Sequence, residues 1–436
     1  MKTFDELRSL HNSFNYDGYT IIKNDNTVEI IYNYSIEGLD NFVTKWFFPY
    51  SVNYDQRILD RMAFSLGLVE SISYYKITCP KIVNIKCGSL DKNKEMFWKK
   101  LFYNGLGEFM YKNNIKVSVD ELFDYIYENK EESPLHDDNS YNGVIIPVGG
   151  GKDSCVSLEL LKGQEASSYC INPNQTINNV IELCDIEKNV TVKREFDSKI
   201  LEYNKQGYLN GHTPFSAIVA FSSFISALLN GYKYIALSNE SSANESTVKG
   251  SSVNHQYSKS LEFENDFIEY VKCLTDSDIH YFSYLRPLKE IQIAYLFSKY
   301  EKYFSVFRSC NVGSKKGEWC CDCAKCLFVY IILTPFIGED KLIKIFGKKV
   351  LDNLDLEEDF KGLIGLSDNK PFECVGTRDE VLIALNEYIK THTSLLTDKY
   401  KEYLKSSTDI NEYIKKEFDI NNNVPSEFLE NIKEAL

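Results

Sequence analysis

The chain lacks a basic surplus: 49 Lys and Arg stand against 63 Asp and Glu, a formal net charge of −14. A nucleic-acid backbone as the main partner would require a basic face, so nucleic-acid binding is not expected, although net charge leaves room for a local basic groove. Long apolar runs are also missing. The longest, Leu327 to Ile337, is too short to span a bilayer and is interrupted by Pro335, so no membrane partner is expected. Met1 to Asn15 is polar and begins like a helix, not like an export signal. The expected location is therefore the cytoplasm. In that reducing compartment the twelve cysteines are thiols or metal ligands, not disulfides. Neither internal repeats nor low-complexity tracts occur. A hydrophobic share of 43% and a charged share of 26% belong to an ordinary globular chain. At 436 residues there is ample core for two or three domains. Tyr at 30 and Phe at 27 are numerous, which reads as sequence bias rather than function.

A Walker A loop, GxxxxGK[ST], is absent too, yet a glycine loop is present. Val144-Ile145-Ile146-Pro147-Val148 is an apolar strand, Gly149-Gly150-Gly151-Lys152-Asp153-Ser154 follows, and a helical pattern runs to Leu161. Adjacent glycines let the backbone approach a ligand closely. A loop feeding a helix N-terminus favours an anion. Gly149, Gly150, Gly151, Lys152, Asp153 and Ser154 are therefore expected to cradle phosphate. Asp153 would repel that phosphate unless a cation lay between them, which predicts Mg²⁺ held by Asp153 on pyrophosphate oxygens.

These residues resemble the SGGxDS loop of the PP-loop ATP pyrophosphatases, which include GMP synthetase, asparagine synthetase and 7-cyano-7-deazaguanine synthase. The resemblance implies ATP as cosubstrate, AMP and pyrophosphate as products and an adenylated intermediate. Gly149 stands where that pattern has its first Ser, so one side-chain hydroxyl is lost while the backbone contacts can remain.

Taken in order, the chain opens with strands. Tyr19–Ile22 and Thr27–Tyr34 flank a turn at 23–26, a hairpin, and a further strand ends at Phe47-Phe48-Pro49. Helical spacing runs from Tyr54 to about Tyr75 and from Lys94 to about Asn113, and the polar stretch 129–142 reads as a linker. Strands at 144–148, 167–171, 190–192 and 232–237 then alternate with helices, which implies a doubly wound parallel α/β sheet. Thr213-Pro214 reads as a cap and first-turn proline of a helix that Gly231 stops. Helices are also expected over roughly 256–274 and after Arg286-Pro287. The expected organisation is an N-terminal α+β domain over 1–135, a PP-loop core over 140–340 and a helical extension over 341–436. Ligands of doubly wound sheets collect at the carboxyl ends of strands. Three such ends carry polar or glycine clusters, at 149–154, at 172–174, where Asn172 joins the nucleotide-binding candidates, and at 238–245.

Cys320, Cys323 and Cys326 form CxxCxxC, and Cys310 supplies a fourth thiolate. Four sulfurs suit a closed, structural tetrahedral Zn²⁺, with an iron–sulfur cluster as the alternative. Cys321 is off the spacing. One Cys followed by CxxCxxC after such a core is again similar to 7-cyano-7-deazaguanine synthase.

The remaining polar stretches yield proton-transfer candidates. His212, in Gln206-Gly207-Tyr208-Leu209-Asn210-Gly211-His212, could be a general base or a phosphate contact, or part of a helix-capping loop. Glu240 and Glu245, in Ser238–Glu245, could hold metal or act as bases, or the stretch could be a solvated loop. His255 and Lys259 follow; Lys259 could stabilise phosphate or an enolate, or both could be exposed residues at a helix start.

A narrower resemblance rests on the ordered set GGGKDS, QGYLNGHTP, LSNESSANE, NHQYSKSLEFE, YFSYLRPL and WCCDCAKC, with Leu66-Gly67-Leu68-Val69-Glu70 and Gly105-Leu106-Gly107-Glu108-Phe109 ahead of it. Over most of residues 55 to 340 the chain is similar to the bacterial UDP-N-acetylmuramoyl-alanyl-glutamate epimerases (MurL). That implies an ATP- and Mg²⁺-dependent isomerase of peptidoglycan precursor synthesis. It would invert the terminal L-Glu of UDP-MurNAc-L-Ala-L-Glu through an acyl-adenylate. The rival readings are a PP-loop amidoligase or nitrile-forming enzyme, and a tRNA-thiolating enzyme, which the acidic charge disfavours.

Overall fold

The computed structural model describes residues 2–241, 257–373, 375–416 and 418–436. The chain is α/β, and the ten strands among the described residues belong to a large mixed sheet. They are β1 Ser13–Lys23, β2 Thr27–Ile36, β3 Asp40–Pro49, β4 Ile82–Leu90, β5 Asp124–Asn129, β6 Val144–Pro147, β7 Ala166–Ile171, β8 Lys188–Glu195, β9 Tyr234–Leu237 and β10 His280–Ser283. Two compact units interleave along the sequence. The first comprises Met1–Gly143, Val190–Ile235 and Gln256–Tyr281; the second comprises Val144–Asn189, Ala236–His255 and Phe282–Leu436.

In the first unit the strands run in the order β8-β3-β2-β1-β4-β5. β1, β2, β3 and β8 pair antiparallel, whereas β1/β4 and β4/β5 are parallel. The turn at 23–26 closes the β1–β2 hairpin. Alternation along β2 buries Val28, Ile30, Tyr32, Tyr34 and Ile36 on one face. The helix Gln56–Tyr75 is buried along most of its length. Tyr32 and Tyr34 donate hydroxyl protons to its Ala63 and Gly67 carbonyls, at 2.9 and 2.7 Å. A Cβ on Gly67 would lie 2.0 Å from the Tyr16 hydroxyl, so only glycine lets strand and helix approach this closely. The abundance of Tyr and Phe thus has a structural use, as rings such as Tyr16–Phe64 and Tyr34–Tyr74 fill this layer.

The second helical pattern is not continuous. It divides at Leu106 into Lys92–Gly105 and Gly107–Lys112. The helix after Thr213-Pro214 spans Phe215–Asn230 and ends at Gly231, but Pro214 itself holds the N-cap position. Thr213 does not cap it; its hydroxyl receives the Lys76 ammonium instead, at 2.8 Å. The stretch 256–274 resolves into a short turn at Tyr257–Lys259 and the helix Leu261–Lys272.

In the second unit the strand order is β10-β9-β6-β7, and β6 pairs parallel with β7. Strand β10 escapes a reading by periodicity because Tyr281, Phe282 and Ser283 are all buried. The tail from residue 339 is helical as expected. The most apolar helix, Ala324–Ile337, has 14 residues, and among the described residues none is long and apolar enough to cross a membrane.

Candidate functional site

Strand β6 delivers the chain to Gly149, and the helix Lys152–Leu161 begins directly after Gly151. Val144, Ile145 and Ile146 are fully buried, so the strand is anchored while the loop is free to curve. Gly150 adopts φ +80°, and a Cβ there would meet Thr176 at 2.8 Å. Gly149 is exposed with nothing within 4 Å of an added Cβ. No side chain of the N-cap residue closes the helix start. The loop therefore presents a helix N-terminus with an open glycine beside it and Asp153 in its first turn.

The Lys152 side chain does not follow the loop outward. It is 1% exposed, and its ammonium donates to Glu290 at 2.5 Å and to Asp153. Burial disfavours that charge, but the two carboxylates outweigh it and hold the ammonium above its usual range. Burial pushes the Glu290 carboxyl up to about 7; Lys152 opposes the rise, and Asp153 and Glu240 add to it. Ser154 turns back and donates to the Gly151 carbonyl at 2.9 Å.

The other strand ends of this unit supply further polar groups. Asn172 follows β7, exposed and in the left-handed region at φ 44°. Beyond β9, Glu240 is buried, and fully buried Arg286 donates to its carbonyl at 2.5 Å and to Ser283 at 3.2 Å. Asn239 also donates to Ser283, at 3.1 Å. Arg286 thus holds the backbone at Glu240, while Glu290 is the buried group that meets the loop's lysine. Glu290 carries no motif; the signal available in the sequence was one charged residue in a largely apolar helix, Glu290–Ser298.

His212 and Lys259 belong to the first unit, and Glu245 and His255 lie outside the described residues. The His212 Nδ1 atom is 3.7 Å from the buried carboxylate of Glu108, which also receives Lys112. Lys76 donates to the Gly211 carbonyl and the Thr213 hydroxyl, and so ties down the residues on both sides of His212. Burial lowers the Lys76 ammonium to about 8, against the pull of Cys79 and Glu108. Lys259 is half-buried in its short turn. Lys76 and Glu108 were missed as site candidates because neither stands near His212 in sequence.

Cys310, Cys320, Cys323 and Cys326 converge, with all four sulfurs within 4.8 Å of one another. The Cys310–Cys320 and Cys320–Cys326 separations are 3.4 and 3.7 Å. A tetrahedron with metal–sulfur bonds of about 2.3 Å has S···S edges of about 3.8 Å. The donor set fits Zn²⁺ in size and softness. Gly313 donates its N–H to the Cys310 sulfur at 3.1 Å, the outer-shell contact that steadies a thiolate. Cys321 points elsewhere, its thiol reaching the Phe346 carbonyl at 3.3 Å.

Comparison with known proteins adds a lineage to this geometry. The family model described as the MurL N-terminal domain matches residues 6–284, and the one described as the MurL C-terminal domain matches residues 304–409. A protein of Xanthomonas oryzae named UDP-N-acetyl-alpha-D-muramoyl-L-alanyl-L-glutamate epimerase is 33% identical over 73% of this chain and 72% of its own. One of the same name from Salinispora tropica is 31% identical over 88% of this chain and 86% of its own. A third, from a Micromonospora species, is 33% identical over 75% and 74%. No solved structure matches the chain.

Proposed function

The chain belongs to the MurL family of epimerases, and from that premise we propose that it inverts the terminal L-Glu of UDP-MurNAc-L-Ala-L-Glu to D-Glu in peptidoglycan precursor synthesis. We further infer that the inversion consumes ATP, releases AMP and pyrophosphate, and takes place in the cytoplasm. The observation that carries the ATP-dependent reading is the glycine loop with its exposed Gly149, tightly turned Gly150 and first-turn Asp153. It supports membership of the PP-loop ATP pyrophosphatases.

The proton α to a carboxylate is very weakly acidic, because its removal creates a dianion. Attack of the glutamate carboxylate on the α-phosphorus of ATP forms the acyl-adenylate and expels pyrophosphate. The activated carbonyl can then take the charge as an enolate when the α proton leaves. Return of a proton to the opposite face inverts the centre, and attack of water on the adenylate frees AMP and restores the carboxylate of a UDP-MurNAc-L-Ala-D-Glu product. In this scheme the loop amides bind the leaving pyrophosphate, with Asn172 beside it. Asp153 would hold Mg²⁺, which supplies charge neutralisation on the phosphate oxygens. His212, Glu240, His255 and Lys259 are the candidates for moving the proton or stabilising the enolate. The cysteine cluster would hold Zn²⁺ as a structural ion.

The test is chiral analysis of glutamate after incubation of the dipeptide nucleotide with ATP in deuterated water. Deuterium should enter the α position only with hydrolysable ATP. An analogue blocked between the α and β phosphates should stop exchange. Exchange that persists with the analogue, or without nucleotide, would overturn the adenylation scheme.

A further inference from the structure

The cysteine cluster and the glycine loop are far apart in sequence, yet one short segment touches both. Arg308 donates its backbone N–H to the Gly150 carbonyl at 2.9 Å. The Ser309 hydroxyl is 3.4 Å from the Lys152 backbone nitrogen, from which it accepts. It is also 2.9 Å from where a Cβ on Gly151 would sit. The next residue, Cys310, is one of the four clustered thiols. A second attachment runs parallel: the Thr176 hydroxyl donates to the Ser314 carbonyl at 3.0 Å, while the Thr176 methyl packs where a Gly150 side chain would be. Ser314 in turn donates its N–H to the Cys310 carbonyl at 3.0 Å. Each contact on its own is modest. Together they hold Gly150, Gly151 and Lys152 to one strap whose far end is fixed at the cluster.

A glycine-rich loop needs such a strap. Gly150 and Gly151 lose more backbone freedom on ordering than other residues would, and a loop that is ordered before its ligand arrives binds more tightly. Among the loop's own side chains, Lys152 points into the interior and Ser154 bonds back to its own helix turn. We propose that the segment 308–310 is the arm by which the four-cysteine site preorganises the glycine loop, with Ser309 as its positioning residue. The cluster then acts on the phosphate-binding step as well as on local folding. The binding part of this inference rests on the nucleotide reading of the loop; the mechanical part does not.

Two measurements on the full chain decide it. The first is hydrogen exchange of the zinc-loaded protein and of protein stripped with a chelator. Amides of residues 150–153 should lose protection as zinc leaves, while those of the hairpin β1–β2 keep theirs. Unchanged loop protection after metal loss overturns the strap. The second is Mg-ATP affinity in Ser309→Ala. It should weaken by about three- to tenfold, the scale of one hydrogen bond. Zinc content should stay at that of the wild type, and the loss should appear in KM for ATP more than in kcat. Ser309→Thr, which keeps the hydroxyl, should recover most of the affinity. Wild-type affinity in Ser309→Ala, or loss of zinc in that variant, overturns the role of Ser309. A wild-type protein that does not bind ATP at all overturns the nucleotide reading and the binding part with it; the exchange measurement still decides the strap.

Discussion

Lys152 and Glu290 stand 138 residues apart in sequence and form an ion pair whose two members are 1% and 2% exposed. Lys152 is the main cation that offsets Glu290 and it pairs with Asp153 as well, so its removal leaves the buried Glu290 carboxylate with only the weaker pull of Lys325. Breaking such a pair costs about 3–5 kcal/mol. The Lys152→Met protein should therefore unfold at markedly lower urea at pH 8. The sign with pH follows from Glu290, whose carboxyl is raised to about 7. A raised carboxyl favours the fold at low pH and penalises it as pH rises through that value. Without the opposing lysine the penalty steepens, so the variant's deficit should shrink at pH 5.5. Equal deficits at both pH values would show that the pair is not what Lys152 contributes.

Asp153 is half-buried at the mouth of the loop, and its loss should leave the fold intact. Asp153→Asn should slow pyrophosphate release by about a hundredfold or more, the scale of losing one key electrostatic group. Turnover at the wild-type rate would remove Asp153 from the metal site.

Elemental analysis of protein purified without chelator should find about one zinc per chain, and Cys323→Ser should lose it. Brown colour with iron and inorganic sulfide would instead mark the site as an iron–sulfur cluster. Cys321→Ser should keep full metal occupancy, because that thiol bonds the Phe346 carbonyl.

Lys76 offers a pH test in the first unit. Its ammonium is lowered to about 8 by burial, below the unfolded value near 10.4. A depressed value means stability is gained as pH rises between those limits and lost as pH falls through the lower one. The stability of the wild type relative to Lys76→Met should thus increase from pH 8 to pH 10 by up to about 3 kcal/mol. A flat difference would mean that the lysine titrates normally.

Local pattern carried the secondary structure well where period and punctuation agreed. The β-branched hairpin, the helix ending at Tyr75, the strand into Gly149 and the stop at Gly231 all lie where apolar spacing and turn residues put them. It failed where burial erased the period, as in β10, and at Leu106, where the flanking Gly105 and Gly107 weaken the helix and the break falls between them. The cysteine quartet was legible because metal geometry needs four like donors at short spacing, and it excluded Cys321 by the same rule.

The sequence by itself placed a glycine loop ahead of a helix at Gly149–Asp153, set four cysteines at metal-ligand spacing and gave the chain an acidic balance. Only the tertiary structure decided which distant groups serve them. Lys152 turns inward because Glu290 waits there, Ser309 reaches Gly151 because Cys310 is drawn into its cluster, and His212 faces Glu108 because Lys76 fixes the residues on either side of it. The physical reason is the same in each case. A buried charge or an open glycine loop is stable only with a partner, and the partner is selected by closeness in space, which sequence separation does not encode.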